Sequence, residues 1–94
     1  MALGEAEASK RLAFRVVETA KAKKALKIVV LEMREASSLC DYFVILSGTS
    51  LRHVNALAQH IEADLDKDRI RSLSKVSPND ESGWVVLDYS SVII

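Results

Sequence analysis

Residues 37–50 constrain the fold of this chain more than any other stretch does. They place Asp41 directly before a five-residue apolar run that begins at Tyr42 and ends shortly before Thr49 and Ser50. A continuous apolar run suits a buried strand, and Thr or Ser side chains commonly cap helix N-termini. The stretch therefore predicts a loop, a buried strand and then a helix that Thr49 or Ser50 caps.

Two helices are predicted from the spacing of apolar residues. Over about residues 5–24, apolar side chains recur at helical spacing while charges fill the other face, which indicates an amphipathic helix. A second and clearer pattern covers about residues 50–66. Its apolar stripe consists of Leu51, Val54, Leu57, Ala58, Ile61 and Leu65.

Further strands are predicted on both sides of the second helix. Residues 28–31 form a β-branched run that suits a strand buried on both faces. Residues 70–76 alternate without a clean apolar face, which indicates an edge strand. A turn cluster at 77–83 precedes a strand over 84–89, and a last strand is expected to begin at Val92.

The order helix, strand, strand, helix, strand, strand, strand predicts an α/β fold, with a mixed β-sheet and helices packed on it. A chain of 94 residues suits one domain with one core, over residues 1–94. The sequence stops inside the apolar run Val92-Ile93-Ile94, although termini normally lie in exposed sequence. We therefore expect the last strand to be cut short. Either the natural domain continues, or a partner or second copy covers this edge.

Composition indicates a soluble protein without a secretory signal. No run of about 18 apolar residues is present to span a bilayer, and charged residues stand near the N-terminus where a signal peptide needs an apolar stretch. The single Cys40 cannot form an internal disulfide or a Cys-based metal cage, which fits a reducing interior. We expect a cytoplasmic location, with an organelle matrix as the alternative.

The charge balance does not favour free nucleic acid as a partner. Thirteen acids balance thirteen bases, whereas nucleic-acid binding usually requires clustered Lys and Arg. Residues 1–27 nevertheless carry seven bases against three acids, and residues 28–66 carry two bases against six acids. The basic first helix could touch RNA at the edge of a larger site, but an ordinary solvated helix face is favoured.

No segment has the spacing of a catalytic, cofactor or metal site. Gly48 is expected to let the backbone leave the strand; the helix start after it could hold an anion, but no P-loop lysine follows and a helix cap is favoured. His53 and His60 lie seven residues apart, about 10 Å along a helix, which is too far to chelate one metal alone. Cys40 lacks a CxxC partner. The sequence therefore predicts no cofactor and no metal.

Three acids and one aromatic residue remain as candidates for recognition. Glu32, Asp41 and Asp88 lie near predicted strand ends, where acids can bind a metal and nucleotide phosphates, but solvated or capping roles are favoured. The Asp-Tyr pairs at Asp41 and Asp88 are also candidate recognition surface. Trp84 follows a turn and is equally consistent with a core filler and with an exposed anchor for a partner.

Several linked blocks, spread over roughly residues 12–94, resemble the Iojap family, also called the ribosomal silencing factor (RsfS) family. Residues 24–31 are also similar to the first strand of the family and its approach. The blocks are Asp41-Tyr42-Phe43-Val44-Ile45, Ser47-Gly48-Thr49-Ser50, the helix with Val54, Ala56 and Ile61, and Trp84-Val85-Val86-Leu87-Asp88-Tyr89 ahead of Val92-Ile93-Ile94.

The resemblance implies a small domain related in topology to nucleotidyltransferases but without their catalytic acids, and therefore no enzymatic activity. It implies a protein that binds the large ribosomal subunit through ribosomal protein uL-fourteen and blocks association with the small subunit, which represses translation. It also implies a homodimer in the free state. Organellar relatives are linked to assembly of the large subunit.

Carried over by motif, the expected partner-binding residues are Trp84, Asp88, Tyr89, Asp41 and Tyr42. Alanine at the tryptophan is expected to reduce binding without unfolding the chain.

Two features depart from the family pattern. The family usually has acids where Lys27 stands and an aspartate in place of Glu32. The family also continues past Ile94 with a His-containing strand and a closing segment, which this sequence does not include. A chain that stops there is expected to bind weakly or to be marginally folded, and to leave an open strand edge.

Two other functions remain open from the residues. A minimal nucleotidyltransferase would use the Gly48-Thr49-Ser50 turn with nearby acids, and nucleotide with Mg²⁺ should then raise its melting temperature. An assembly adaptor would bind the same ribosomal protein without blocking subunit joining. A joining assay separates this adaptor from a silencing factor.

Overall fold

In the part of the chain that the structure describes, two helices and three strands follow one another in the order helix, strand, strand, helix, strand. The computed structural model describes residues 5–36, 39–74 and 83–94. Its elements are α1 (Glu5–Ala22), β1 (Lys27–Glu32), β2 (Tyr42–Ser47), α2 (Leu51–Asp66) and β3 (Val92–Ile93). None of the described helices is long and apolar enough to cross a membrane. The α/β class predicted from the sequence is confirmed.

Helix α1 ends at Ala22, and the left-handed residue Lys24, which has a φ of 63°, follows two residues later. The Lys24 N–H donates to the Lys21 carbonyl and the Ala25 N–H donates to the Ala20 carbonyl, each at 3.0 Å. These two bonds form a Schellman motif, which satisfies carbonyl groups that the end of a helix leaves without partners. The chain then turns into β1, so the helix ends two residues before the predicted boundary.

Helix α2 begins at Leu51 because Ser50 caps it. The Ser50 backbone is extended, and its hydroxyl accepts a hydrogen bond of 3.1 Å from the His53 N–H. Of the two residues predicted as caps, Ser50 is therefore the one that acts. Its neighbour Thr49 contacts the His53 ring instead.

We expect Ser50→Ala to lower the free energy of unfolding by about 1 kcal/mol, because one N–H of the first helical turn loses its acceptor. Urea denaturation monitored by circular dichroism measures this loss. Thr49→Ala is the matched comparison and should cost clearly less. An equal or larger loss for Thr49→Ala would contradict the assignment of the cap.

The sheet is mixed, with the strand order β1-β2-β3. Strand β1 is antiparallel to β2, with Lys27 opposite Ser47 and Glu32 opposite Tyr42. Strand β3 is parallel to β2 and pairs with it over only two residues of each strand. Strand β2 is therefore central, and its first half is held on both sides.

Both helices pack on one face of this sheet. Residues 42 and 44 of β2 are buried, and the alternating direction of side chains along a strand sends their neighbours to the opposite face. Among the described residues, the core cluster lies on the helix side of the sheet. That cluster contains Ala13, Val16, Val17, Tyr42, Val44, Ala58, Ile61, Leu65, Leu87, Tyr89 and Val92.

The edge strand predicted over 70–76 is wrong for residues 70–74, and residues 75–76 lie outside the described part. One backbone hydrogen bond of 2.7 Å runs from the Leu73 N–H to the Asp88 carbonyl, and serine hydroxyls replace the rest of a backbone ladder here. The Ser74 hydroxyl donates to the Val86 carbonyl at 2.9 Å and accepts from the Asp88 N–H at 3.1 Å. Such side-chain bonds compete with regular strand pairing. The predicted turn at 77–83 is outside the described residues except for Gly83, whose φ is +84°.

The strand predicted over 84–89 is also wrong, because only its last residues pair. Leu87 and Ile94 exchange two backbone hydrogen bonds of 2.8 and 2.9 Å, and Asp88 forms an isolated bridge with Ile93. The pairing begins at a tight turn at Ser90, which has a φ of 67°, and reaches as far as Leu87 opposite Ile94. The last strand, predicted to begin at Val92, is confirmed.

Candidate protein-binding surface

The face of the sheet that points away from the helices is apolar and open to solvent. Pairing places Val29 opposite Ile45 and Leu31 opposite Phe43 on this face. The side chain of Ile45 is 50% exposed and that of Leu31 is 41% exposed. The prediction that β1 is buried on both faces is therefore wrong, because both helices cover the same side.

A groove of about 210 Å³ lies between β2, the segment that precedes β3 and helix α2. Phe43, Ile45, Trp84, Val86 and Ile93 are among its lining residues, together with Val54, Leu57 and Ile61 of α2. Trp84 is 81% exposed and Val86 is 58% exposed. The structure thus places Trp84 at the surface and not in the core. We call Leu31, Phe43, Ile45, Trp84 and Val86 the sheet-face patch.

The two Asp-Tyr pairs meet at the start of β2. The Ser91 carbonyl accepts hydrogen bonds from the N–H groups of residues 41 and 42, at 2.7 and 3.1 Å. Both tyrosines, Tyr42 and Tyr89, are buried in the core. Asp41 accepts a bond of 2.6 Å from the Ser9 hydroxyl, and Asp88 accepts one of 2.8 Å from the Ser90 N–H.

The predicted partner-binding residues are therefore divided between two places. The structure brings Asp41, Tyr42, Asp88 and Tyr89 together, with the tyrosine rings facing the core. Trp84 lies instead with the second half of β2, where it lines the groove beside Ile45. The role of all five in binding stays a prediction.

Sequence reasoning missed the aliphatic part of the patch. Leu31, Ile45 and Val86 belong to apolar runs that suggested burial on both faces. The number of predicted helices is a signal that could have identified these exposed residues. Two helices cover one face of a small sheet and leave the other face open. An exposed apolar face of this kind commonly marks a site of interaction with another protein.

The turn before α2 is occupied by internal hydrogen bonds. The Thr49 N–H donates to Nδ1 of His53 at 2.9 Å, and the His53 Nε2 lies 2.9 Å from the Lys23 carbonyl. A Cβ atom on Gly48 would lie 3.0 Å from the backbone nitrogen of Val54. Close approach to α2 is therefore the reason for glycine here, whereas the sequence suggested backbone freedom. The predicted role of this turn as a helix cap agrees with these contacts.

The other residues that the sequence offered as candidates for chemistry are Cys40 and the acids, and they lie outside this turn. Cys40 is buried, and burial raises the pKa of its thiol. Glu32 pairs with Arg34 at 2.7 Å on the surface. Within the described ranges, no group of three or more His, Cys, Asp or Glu side chains is placed to hold a metal ion.

Arg15 joins the two helices on the side away from the patch. Its Nε donates to the Asp64 carboxylate at 3.0 Å, and its guanidinium also bonds Asp68. The Thr19 hydroxyl adds a bond of 3.2 Å to the same Asp64 oxygen. The Arg15 hydrogen bond holds the pKa of the Asp64 carboxyl below its usual value.

This ion pair predicts a specific loss of stability in acid. A carboxyl whose pKa is lowered by folding stabilises the folded state above its unfolded pKa, about 4, and that contribution disappears as the pH falls through the folded pKa. We expect Asp64→Asn to cost about 1 kcal/mol at pH 7 and less at low pH. Urea denaturation at several pH values measures this. Glu18→Gln is the control for an exposed carboxylate, and a cost of Asp64→Asn that does not change with pH would contradict the prediction.

Comparison with known proteins identifies a family for this chain. Residues 6–94 match the family model RsfS, described as "Ribosomal silencing factor during starvation". The chain is 35% identical over 72 residues to ribosomal silencing factor RsfS of Bacillus subtilis, covering 77% of this chain and 60% of that protein. It is 39% identical over 71 residues to the RsfS of Zymomonas mobilis, covering 76% of this chain and 53% of that protein.

A mitochondrial protein is also similar. The mouse protein "Mitochondrial assembly of ribosomal large subunit protein 1" is 30% identical over 81 residues, which cover 84% of this chain and 36% of that protein. The chain therefore spans between about a third and three fifths of the length of these curated relatives.

Solved structures match the fold. A crystal structure of a protein from Chromobacterium violaceum superimposes with a TM-score of 0.77 at 26% identity, covering 96% of this chain and 72% of the other. A crystal structure of a protein from Bacillus halodurans gives the same TM-score at 27% identity, covering 89% of this chain and 77% of the other. The two helices and the mixed sheet are therefore shared with experimentally determined structures.

Proposed function

The chain belongs to the RsfS family of ribosomal silencing factors, and from this premise we propose that it binds the large ribosomal subunit through ribosomal protein uL-fourteen. By occupying that protein, it blocks association with the small subunit and represses translation. The activity takes place wherever such subunits are found, in the cytoplasm or in an organelle matrix. The name of the family describes a regulatory factor of the ribosome.

The open, apolar sheet-face patch is the observation that carries this proposal. It combines a rigid sheet with the large exposed side chain of Trp84 and the half-exposed side chains of Ile45 and Val86. Interfaces between proteins depend on a few large anchors that become buried at the centre of the contact. The patch supplies such anchors from β1 and β2 and from the adjoining segment at residues 84–86.

Silencing by this route requires no chemical step. A domain bound at the face where two subunits meet excludes the second subunit by its volume alone, provided that it stays bound longer than the subunits take to meet. The helix side of the domain, with its charged outer surface, would then point away from the large subunit. The polar rim needed around the apolar anchors includes Lys27 and Ser47, which lie at the end of the β1-β2 ladder.

Titration of the fluorescently labelled chain with purified large subunits tests the partner. We expect saturable binding, and we expect isolated uL-fourteen in excess to compete for the chain. Purified small subunits serve as the control and should not bind. Binding to the large subunit that isolated uL-fourteen does not displace would contradict the named partner.

A second function is favoured by the mitochondrial relative. The name of the mouse protein describes assembly of the large ribosomal subunit. An assembly adaptor would use the same patch to hold the same ribosomal protein, but it would leave subunit joining intact. Subunit joining in the presence of the bound chain therefore distinguishes the two functions.

In the free protein, a second copy would cover the patch. Apolar faces of this kind are normally buried in a complex, and a homodimer satisfies that requirement in the absence of ribosomes. Dimerisation and ribosome binding would then compete for the same surface.

A further inference from the structure

A second cavity lies on the helix side of the sheet, away from the sheet-face patch. It is an open pocket of about 550 Å³ that is lined by α2, by residues between 70 and 74, and by Tyr89. Glu62, Asp66, Ile70, Arg71 and Tyr89 are among its lining residues. The proposed ribosomal role rests on the sheet-face patch and does not use this pocket, although Tyr89 is also one of the five residues carried over by motif.

The Tyr89 hydroxyl is the first unusual group in this pocket. The side chain is 7% exposed, and within the described residues its buried hydroxyl has no hydrogen-bond partner. A buried hydroxyl without a partner is costly, so native proteins normally satisfy such groups. Burial raises the pKa of Tyr89 to about 12, and the carboxylates of Glu62 and Asp66 add to the shift. The hydroxyl therefore stays protonated and lies close to two acids.

Glu62 is the second unusual group. Burial raises the pKa of its carboxyl, and no salt bridge in the described part of the chain involves it. Asp66, one helical turn further along α2, already pairs through Oδ1 with the Nε of Arg71 at 3.0 Å. Two carboxylates and one guanidinium leave the pocket with a net charge of −1.

The other polar groups in the pocket are already engaged. The Ser72 and Ser74 hydroxyls lie 2.9 Å apart and bond to the backbone of residues 86 and 88. Glu62 and Tyr89 are therefore the groups with unused hydrogen-bonding capacity, together with the second oxygen of Asp66. All of these can accept hydrogen bonds, and the local charge favours a cation.

We propose that this pocket binds the guanidinium group of an arginine side chain presented by a protein partner. A guanidinium carries five N–H donors in a planar fork, which suits acceptors on Glu62, Asp66 and Tyr89. Its aliphatic stem has Ala63 and Ile70 to pack against in the same pocket. This pocket and the groove beside the sheet-face patch have no lining residue in common, so both can be occupied at once.

Titration of the ¹⁵N-labelled chain with N-acetyl-arginine amide, monitored by two-dimensional NMR, tests the pocket. We expect saturable shifts of the amide signals of residues 62–66, 71–74 and 89. N-acetyl-citrulline amide has nearly the same shape without the charge and is the ligand control. We expect it to bind about tenfold more weakly, because charge-assisted hydrogen bonds are lost.

Two variants assign the binding to the named groups. Glu62→Gln is expected to weaken arginine binding about tenfold, whereas Glu18→Gln, the same change on the exposed face of α1, should leave it unchanged. Tyr89→Phe is expected to weaken binding about threefold and yet to raise the melting temperature, because the buried hydroxyl without a partner is removed. Absence of saturable shifts, equal binding of the citrulline analogue, or unchanged binding by Glu62→Gln would each overturn the proposal.

Discussion

Substitution of Trp84 by alanine is expected to weaken binding to the large ribosomal subunit about 30-fold, the loss typical of a central aromatic anchor. Trp84 is 81% exposed and, like Ile45, lines the groove. A partner that buries it would gain a large apolar contact area. Because so little of the ring is buried within the domain, the free energy of unfolding should change by less than about 0.5 kcal/mol. Titration with purified large subunits measures the affinity.

Leu73→Ala is the control for this substitution. Leu73 is also strongly exposed, at 75%, but it lies outside the sheet-face patch. Its removal should therefore leave the affinity unchanged. Unchanged binding by Trp84→Ala would remove the patch from the interface, and unfolding of that variant would mean that the tryptophan has a structural role.

Substitution of Leu65 by alanine has the largest expected effect on stability, a loss of about 3 kcal/mol. Leu65 is fully buried between α2 and the sheet, in the cluster that also holds Val16 and Ile61. The change removes apolar contact and leaves a cavity, and both effects destabilise the folded state. Domains of this size are stabilised by only about 5–15 kcal/mol in total. Urea denaturation should therefore show a much lower midpoint.

The same control applies, because Leu73→Ala makes the identical chemical change at an exposed position. We expect it to cost less than about 0.5 kcal/mol. Equal losses for the two variants would contradict the position of the core on the helix side of the sheet. An unchanged slope of the unfolding free energy against urea concentration would show that the denatured state is unaffected.

Both helices, the first two strands and the last strand were predictable from the sequence, because their patterns are local. The stripe that includes Leu57, Ile61 and Leu65 has the helical period, and it is the buried face of α2. The run after Asp41 is continuous and apolar, and it forms the central strand β2. Ser50 has the side chain that a helix start requires. The resemblance to the RsfS family, also based on these segments, is confirmed by the family match.

The errors concern contacts between distant segments. Residues 70–74 look like an edge strand in isolation, but Ser72 and Ser74 use their hydroxyls to bond residues 86 and 88. Alternation in a sequence does not reveal whether a backbone or a side chain will make those bonds. Residues 84–86 lie outside any ladder, because the backbone pairing of this segment with residues 92–94 ends at Leu87, which lies opposite Ile94.

The candidate surface was predictable only in part. From the sequence, Trp84 was equally consistent with a core filler and with an exposed anchor for a partner. Its high exposure in the structure places it at the surface. The apolar runs that contain Ile45 and Leu31 do not identify these residues by themselves, since a run gives no sign of which face a helix will cover. Only the number of predicted helices, two on a small sheet, indicates that one face stays open. The Tyr89 hydroxyl was likewise beyond sequence reasoning, because its lack of a partner depends on how α2 packs.

Gradient sedimentation of purified large and small subunits with increasing amounts of this chain is the most direct test of silencing. The chain should appear with the large subunit, and the peak of joined ribosomes should fall as the concentration of the chain rises. The Trp84→Ala variant should require a much higher concentration for the same effect. A chain that stays at the top of the gradient, or that binds the large subunit while the joined peak is unchanged, would contradict a silencing function.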